Sequence, residues 1–268
     1  MNTTLTSEQI ASYERDGFVL HPGFLSAAEV AELKAAVLES VATMGRKKVA
    51  GDATNTAQEG EAYYDKVFTQ RLNLWRINST VKRYVLSPEL GRMLCALARV
   101  KSIRVWHDQA LIKEPFANPT SWHLDNPYWS FFSPHSISIW IAMEDATPQN
   151  GCMYFLPGSH RLATYQNAGI GENMADLFKL YPKMAEIDSV CTPMKAGDCS
   201  FHNGLCAHGA GANMTRRRRI AMTCAYMPGG STFNGNRNIL PESYFKTLRP
   251  GDVLANDQWN PEIYAAAI

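Results

Sequence analysis

Three observations predict a mainly β fold with flanking α-helices. Residues 102–228 consist of short alternating runs of apolar and polar residues, separated by Pro, Gly and Asn. Two capping boxes near the amino terminus introduce helices with apolar faces, and no linker or internal repeat divides the 268 residues. Many short strands of this kind indicate a sandwich, a jelly roll or a barrel. We therefore expect one domain over residues 1–268, with helices at about 6–99, a β core at about 100–228 and a lid or tail at 229–268.

Composition limits the partners of this chain. It is 46% hydrophobic and 19% charged, and its net charge of +1 gives no bulk attraction to nucleic acid or an anionic membrane. No secretory signal and no apolar run of membrane-spanning length is visible. The six cysteines form no C-x-x-C pair, which favours buried thiols in a reducing, cytoplasmic compartment. Cys199 and Cys206 flank His202, but zinc clusters usually have tighter ligand spacing.

The amino-terminal part of the chain is expected to be helical. Capping boxes at residues 6–9 and 26–29 each open a helix, and the first helix should end near Gly17. A third helical region covers about 80–99, where Pro88 should begin a new helix. These helices have apolar stripes suited to packing on a sheet.

Two segments interrupt the regular elements. Residues 46–60 are polar and lack periodicity, so we expect a surface loop with a solvated basic cluster at Arg46-Lys47-Lys48. Asn167 to Met184 is expected to be a helical insertion among the strands.

The predicted strands share alternation and flanking turn residues. They are Ser102 to Lys113, Thr120 to Asp125, Ser136 to Glu144, Cys152 to Leu156, Ser189 to Pro193, Asp198 to His202 and Arg218 to Met227. In residues 136–143, Ser138 and Trp140 share one face and isoleucines occupy the other. In residues 218–227, Arg219 heads a face of small residues. A face of that kind suits a ligand cavity better than a dry core.

His123 and Asp125 are the first candidate metal ligands. They are two residues apart, so on a strand their side chains leave from the same face. His208 follows the turn after a predicted strand and can supply a third ligand. Two histidines and one carboxylate on one face of an octahedral ion form the facial triad of non-haem Fe(II) oxygenases. An H-x-D tripeptide by itself occurs by chance in many proteins. A single histidine at position 208 would more often lie in a turn and form a hydrogen bond to the backbone.

Arg219 strengthens this interpretation. It lies on the strand after His208 with its side chain directed to the cavity face, where a guanidinium fork can bind the distal carboxylate of a 2-oxo acid. Four consecutive arginines, 216–219, more often form a solvated face. Strand alternation sends Arg217 and Arg219 to one side and Arg218 to the other, which leaves Arg217 as the alternative anchor.

At this point the chain resembles the phytanoyl-CoA dioxygenase-like branch of the Fe(II)/2-oxoglutarate-dependent oxygenases. Similarity runs from the first helix past Tyr226, and the order and spacing of the motifs together are specific. The matching segments are Trp122-His-Leu-Asp125 with Pro127-Tyr128-Trp129, Asn150 to His160, Ala196-Gly-Asp198, Phe201-His202, His208 to Asn213, and Arg219.

The resemblance implies a double-stranded β-helix, the cupin-like jelly roll, with flanking amino-terminal helices. It implies that His123, Asp125 and His208 bind Fe(II), that Arg219 anchors 2-oxoglutarate, and that Trp140 and Lys113 contact this co-substrate. Two departures are Ala210, where relatives often have serine or threonine, and Ala212, where proline is common. The first removes one expected hydroxyl hydrogen bond to 2-oxoglutarate.

The resemblance also implies a reaction with O₂. Relatives that chlorinate have a small residue at the position of Asp125, so its carboxylate favours oxygen transfer. We expect an unactivated C–H bond of a small organic metabolite to be hydroxylated, with release of succinate and CO₂. Desaturation, cyclisation or epimerisation with the same cofactors is the first alternative. A non-catalytic jelly-roll protein that binds metal or ligand is the second, and Arg219 argues against it.

Substrate contacts are expected from residues near the metal pair. Asn126, Tyr128 and Trp129 follow it directly, and Phe233 lies in a glycine-rich segment that suits a lid; barrel packing is the alternative for these side chains. No basic cluster is placed for a CoA phosphate. We expect a small-molecule substrate and a monomer or homodimer. Trp106-His107-Asp108 has no third ligand of its own and is expected to support the metal site or to be structural. His135, His160 and His202 are expected to be structural.

Overall fold

The computed structural model describes residues 1–51, 63, 66–166 and 168–266. The helices in these ranges are α1 (Ser7–Asp16), α2 (Ala27–Met44), α3 (Ser79–Val85), α4 (Pro88–Ala98), α5 (Asp176–Leu180) and α6 (Glu242–Phe245). The strands are β1 (Phe18–His21), β2 (Thr69–Leu72), β3 (Ser102–Lys113), β4 (Thr120–His123), β5 (Ile137–Ala142), β6 (Met153–Phe155), β7 (Val190–Thr192), β8 (Cys199–Asn203), β9 (His208–Ala210), β10 (Arg219–Pro228) and β11 (Glu262–Ala265).

The strands form two antiparallel sheets. In the larger sheet the order is β1-β8-β5-β10-β3, and β3 also pairs with both β11 and β2. In the smaller sheet the order is β4-β9-β6-β7. Side chains from both sheets, including Trp140 of β5 and Phe155 of β6, share one buried cluster between them. This arrangement is a double-stranded β-helix, and the predicted fold class is confirmed.

Local sequence signals determine where the first helices begin and end. Thr6 and Ser26 each accept a backbone hydrogen bond from the third residue of their helix, whose side chain bonds back to the cap. Gly17 ends α1 in the left-handed conformation with φ of 80°. Ser87 caps α4, and Pro88 occupies its first turn. These boundaries agree with the prediction.

Alternation separates the two faces of the larger sheet. Ile139 of β5 and Met222 of β10 are buried in a cluster shared with α1 to α4. Their neighbours Ser138, Trp140 and Thr223 line a cavity on the opposite face. The helices therefore cover the outer face of this sheet, and the polar face is left for a site.

Two local expectations are corrected. Residue 167 of the predicted helical insertion at 167–184 lies outside the described ranges, and residues 168–184 are helical only in α5 and in a short 3₁₀ segment, Pro182–Glu186. Gly169 and Gly171 precede it, and glycine disfavours helix. In the predicted loop at 46–60, residues 52–60 lie outside the described ranges. Arg46 and Lys47 are exposed, but Lys48 lines the cavity.

The carboxyl-terminal segment packs onto the β core. Phe233, Leu240 and Leu254 are buried in one cluster with Trp106 and Trp129, and β11 extends the larger sheet. Within the described ranges, the structure contains no helix with the length and apolar character needed to cross a membrane.

Gly91 marks the closest approach of α4 to β11. A Cβ at this position would lie 2.6 Å from Cβ of Tyr264 and 3.1 Å from Cγ1 of Ile263. Helix propensity alone favours Gly91→Ala by about 1 kcal/mol, whereas overpacking a tight contact costs about 1–3 kcal/mol. We predict a net loss in the free energy of unfolding, measured by chemical denaturation.

Ala96→Gly calibrates this measurement, because Ala96 is exposed on the same helix. It should lose about 1 kcal/mol from propensity alone. A gain in stability for Gly91→Ala would contradict close packing of β11 on α4.

Candidate metal centre and cavity

His123, Asp125 and His208 come together at one end of the smaller sheet. His123 is the last residue of β4, His208 is the first of β9, and the two are directly paired across the ladder. Nε2 of His123 lies 3.8 Å from Oδ1 of Asp125, and Nε2 of His208 lies 3.7 Å from the same oxygen. One potential ligand atom from each residue lies within 4.8 Å of the others. This spacing suits three ligands of one metal ion.

Backbone carbonyls orient both imidazoles. Nδ1 of His123 donates to the carbonyl of Ser121, and Nδ1 of His208 donates to the carbonyl of Cys206, each at 2.9 Å. Because the proton is held on Nδ1, Nε2 carries the free lone pair and faces Asp125. This is the usual way in which a protein prepares histidine for a metal.

The protonation states also suit metal binding. Burial lowers the pKa of His123, and burial together with His123 lowers that of His208, so both rings are neutral at neutral pH. Burial raises the pKa of Asp125, but the surrounding imidazoles outweigh it and hold that pKa well below its usual value. Two neutral imidazoles and one carboxylate are the ligand forms that a divalent ion requires.

The second carboxylate oxygen of Asp125 has its own partners. The hydroxyl of Ser138 donates to Oδ2 at 2.9 Å, and Nε2 of His202 lies 3.1 Å from the same oxygen. An ionised carboxylate only accepts, so Nε2 of His202 carries the proton. These two contacts fix the carboxylate and leave Oδ1 directed at the two histidines. His202, expected to be structural, therefore contacts the candidate ligand set and lines the cavity.

The candidate ligands open onto a cavity of about 640 Å³ between the two sheets. Volumes in this range accommodate metabolite-sized ligands. The side chains that line it are mainly apolar or aromatic. Among the described residues that line it, Asp125 is the one with a carboxylate. Its cationic lining residues in the described ranges are Lys48 and Arg219.

Arg219 is a buried cation that lines the same cavity. It is 2% exposed, and its guanidinium lies over the ring of Trp140 at 5.2 Å. Nη1 makes a long contact of 3.5 Å with the carbonyl of Leu111, and Nε has no hydrogen-bond partner among the described residues. Burial lowers its pKa to about 10, so it stays charged at neutral pH. The charge of Glu144 only partly offsets burial, and no described residue forms an ion pair with Arg219, so this position suits an anionic ligand.

The other arginines of the run do not share this position. Arg216, Arg217 and Arg218 are exposed, and Arg218 forms an ion pair with Glu114. Arg217, the alternative anchor, is thus on the surface in this structure.

Lys113 is the predicted co-substrate contact that the structure places elsewhere. It is directly opposite Arg219 in the β3–β10 ladder and fully buried. Its ammonium donates to the carbonyls of Val67 and Asn118, and it is not among the residues lining the cavity. Burial and the charge of Arg219 lower its pKa to about 7. Trp140, in contrast, lines the cavity.

The predicted substrate residues divide into two groups. Tyr128 and Trp129 line the cavity. Asn126 is fully buried, and its amide instead bonds to the carbonyl of Phe131 and the backbone N–H of Ser133. Phe233 is buried in the carboxyl-terminal cluster and does not line the cavity. For these two side chains, packing is the role that the structure shows.

The Trp106-His107-Asp108 motif spans an irregularity in the β3–β10 ladder, where Tyr226 pairs with Val105 and Ala225 pairs with His107. Trp106 packs in the carboxyl-terminal cluster, and Asp108 accepts from the backbone N–H groups of Leu74 and Trp75. His107 lines the cavity, as does Gln109. The sequence signal for these two cavity residues is the alternation of β3, which places them on one face.

Comparisons with known proteins agree with this geometry. The sequence profile of the family described as Phytanoyl-CoA dioxygenase (PhyH) matches residues 13–221. A methylphosphonate hydroxylase from Gimesia maris is 26% identical over 230 residues, which cover 84% of this chain and 82% of the relative.

Similar solved structures include two enzymes of nogalamycin biosynthesis. The α-ketoglutarate-dependent carbocyclase SnoK has a TM-score of 0.78 and 27% identity, and the match covers 97% of this chain and 96% of the SnoK chain. The epimerase SnoN, in complex with Fe³⁺, α-ketoglutarate and nogalamycin RO, has a TM-score of 0.75 and 26% identity, with coverage of 96% and 97%.

Removal of one candidate ligand should abolish metal binding. We predict that Asp125→Ala lowers the affinity for Mn(II) by more than about 100-fold, beyond the effect typical of residues that only orient a ligand. The measurement is calorimetric titration of the metal-free protein, with circular dichroism to verify folding.

His135→Ala is the matched control, since His135 bonds through its ring to the carbonyl of Ala98 away from the site. It should leave Mn(II) affinity unchanged. Equal affinity of Asp125→Ala and the unaltered protein would exclude Asp125 as a ligand.

Proposed function

The chain belongs to the phytanoyl-CoA dioxygenase family, and on this premise we propose that it hydroxylates an unactivated C–H bond of a small organic metabolite, with Fe(II), 2-oxoglutarate and O₂. Succinate and CO₂ are the co-products. Three residues with the donor set of a facial triad support the iron site, and Arg219 supports the 2-oxoglutarate site.

The observation that carries this proposal is the buried guanidinium of Arg219. A protein that only bound a metal would gain nothing from enclosing a cation without an anionic partner in the same cavity. The planar fork of arginine matches a carboxylate, and the ring of Trp140 covers its face. This position suits the distal carboxylate of 2-oxoglutarate.

His123, Asp125 and His208 would hold the iron. When bound, Fe(II) supplies the activation of O₂ that is coupled to oxidative decarboxylation of the 2-oxo acid. The protein contributes position and shielding. Ser138 and His202 restrain Asp125, and the apolar walls around the cavity exclude water from the reacting groups.

The family description does not extend to the substrate. The phosphates of an acyl-CoA need several cations, whereas the described cavity lining offers Lys48 and Arg219, and Arg219 is assigned to the co-substrate. The relatives themselves differ, since one is named for a phosphonate and another was solved with a nogalamycin compound. We therefore propose a small metabolite other than an acyl-CoA.

Cyclisation or epimerisation is the second candidate outcome. It is favoured by similarity over nearly the whole chain to a carbocyclase and an epimerase with 27% and 26% identity. These outcomes use the same metal and co-substrate, so they change what happens to the substrate and leave the assignment of the site unaltered.

Spectroscopy tests the proposed cofactors directly. Anaerobic addition of 2-oxoglutarate to the Fe(II)-loaded protein should produce a weak visible charge-transfer band, since the co-substrate chelates the metal. Absence of the band in protein shown to contain Fe(II) would overturn the proposal.

Arg219 should control the 2-oxoglutarate requirement. We predict that Arg219→Ala weakens 2-oxoglutarate binding by about 10- to 100-fold, the range for losing charge-assisted hydrogen bonds, with metal binding intact. Arg219→Lys should recover part of this loss, because lysine keeps the charge and loses the fork. Titration of the charge-transfer band measures both variants.

Arg217→Ala is the matched control. Strand alternation makes Arg217 the alternative anchor, but its side chain is exposed in the structure. Its affinity for 2-oxoglutarate should equal that of the unaltered protein. Weaker 2-oxoglutarate binding in Arg217→Ala, with unchanged binding in Arg219→Ala, would show that Arg217 binds the carboxylate and Arg219 does not.

A screen for succinate release should identify the substrate, using phosphonates, amino acids, aromatic polyketides, terpenoids, alkaloids and acyl-CoAs. Mass spectrometry of the product under ¹⁸O₂ then separates the outcomes. Hydroxylation incorporates ¹⁸O and adds 16 or 18 mass units according to the isotope, whereas ring formation and epimerisation add no oxygen. A product without ¹⁸O would replace the first candidate with the second.

A further inference from the structure

We propose that His107 selects the substrate, and that this substrate is a largely apolar, uncharged molecule whose hydroxyl or carbonyl oxygen binds the imidazole. The inference rests on the proposed function, because it takes the cavity beside the metal ligands as the substrate site.

His107 is a buried polar side chain that lacks a protein partner. It is 5% exposed, and its Nδ1 is enclosed without a hydrogen bond to any described residue. Nδ1 of His160 and Nδ1 of His202 are also enclosed without a partner, but His160 does not line the cavity and His202 bonds to Asp125 through Nε2. A buried polar group without a partner costs free energy. The ring lines the cavity wall, where a ligand oxygen can bond to Nε2, the ring nitrogen that is not enclosed.

The location of His107 suits substrate better than co-substrate. In the β3–β10 ladder, Arg219 pairs with Lys113, and Ala225 pairs with His107. Six residues along an extended strand span roughly 20 Å, so His107 lies far along the wall from the carboxylate anchor. His107 and Asp125 nonetheless line the same cavity, and the charge of Asp125 partly opposes the lowering of the His107 pKa by burial. A group bound to His107 therefore lies near the metal on the side away from Arg219.

The surroundings of His107 favour an uncharged ligand. Burial lowers its pKa to about 4, so the ring is neutral at neutral pH and offers one donor and one acceptor. The edge of Trp129 faces the ring, with centroids 6.1 Å apart, and Gln70 and Gln109 bond to each other. The apolar side chains on this part of the wall include Val49, Leu72 and Ile239. The neutral ring carries no positive charge for a carboxylate or phosphate, whereas it offers a hydroxyl or carbonyl oxygen a matched partner; Lys48, next to Val49, is the cationic residue of this wall among the described residues.

Three bicyclic probes test this assignment on the anaerobic Fe(II)·2-oxoglutarate protein. 2-Naphthol offers a neutral hydroxyl, naphthalene offers no hydrogen bond, and 2-naphthoate is charged. Equilibrium dialysis gives the dissociation constant of each probe. In the unaltered protein, 2-naphthol should bind tightest, about 3- to 10-fold more tightly than naphthalene, as expected for one buried hydrogen bond. 2-Naphthoate should bind most weakly.

His107→Phe should remove this preference. 2-Naphthol should then bind no better than naphthalene, while naphthalene keeps its affinity because the apolar wall is retained. His107→Asn, which keeps a donor and an acceptor, should recover part of the preference. His160→Asn is the control, because His160 also has an unpartnered Nδ1 but does not line the cavity. It should bind all three probes as the unaltered protein does.

Equal binding of 2-naphthol and naphthalene to the unaltered protein, or failure of both to bind, would overturn the role of His107. So would a preference for 2-naphthol that survives in His107→Phe. The charge-transfer band separates this failure from failure of the proposed function. If the band forms in every variant, the metal and co-substrate sites are intact and only the substrate assignment is rejected. If the unaltered protein forms no band, the proposed function itself fails.

Discussion

The pairing of β4 with β9 is the constraint on which the rest of this site depends. It places His123 directly opposite His208, although the two residues belong to distant parts of the sequence. The ladder is irregular between Thr120 and His123, so the register at the histidines is set locally. Side chains alternate along a strand, and a slip of one residue would send one imidazole to the opposite face. The backbone N–H of Asp125 bonds to the carbonyl of Gly204, which ties the third candidate ligand to the same end of the sheet.

The part of the cavity wall formed by β3 and β10 has two chemically different ends, one at Arg219 and the other at His107. At the end of Arg219, a buried cation requires an anion. At the end of His107, a neutral ring offers a hydrogen bond to an uncharged oxygen. The candidate metal ligands face the space between them. Because β3 and β10 are paired over their length, both ends are held at a fixed separation by backbone hydrogen bonds. Co-substrate and substrate can thus be distinguished by charge as well as by shape.

Much of this fold and the central residues of the site were predictable from local patterns. Capping boxes fixed the starts of α1 and α2, and alternation assigned Ser138, Trp140 and Arg219 to the face that lines the cavity. The side chains of residues beside turns were harder to place from the sequence, because their orientation depends on hydrogen bonds that strand alternation does not predict. Asn126 bonds to Ser133 and Phe131, and this turns it away from the cavity.

Buried polar contacts also lie beyond what local patterns predict. The contact of Lys113 with the co-substrate stays a prediction, and the structure bonds its ammonium to the carbonyls of Val67 and Asn118. The contact of His202 with Asp125 becomes visible only when β8 is placed next to β5. Long-range strand order is therefore what the sequence alone could not supply.

The enclosed charge of Arg219 has a consequence for the lifetime of the protein. Without an anion, the native state bears the cost of an uncompensated buried cation, and the unfolded chain does not. A ligand that binds only the native state stabilises it by an amount that grows with the logarithm of ligand concentration. An anion that binds Arg219 thus acts as a folding ligand. On the proposed assignment of Arg219 to 2-oxoglutarate, the population exposed to proteases is linked to the supply of that co-substrate, so metabolic state sets abundance as well as rate.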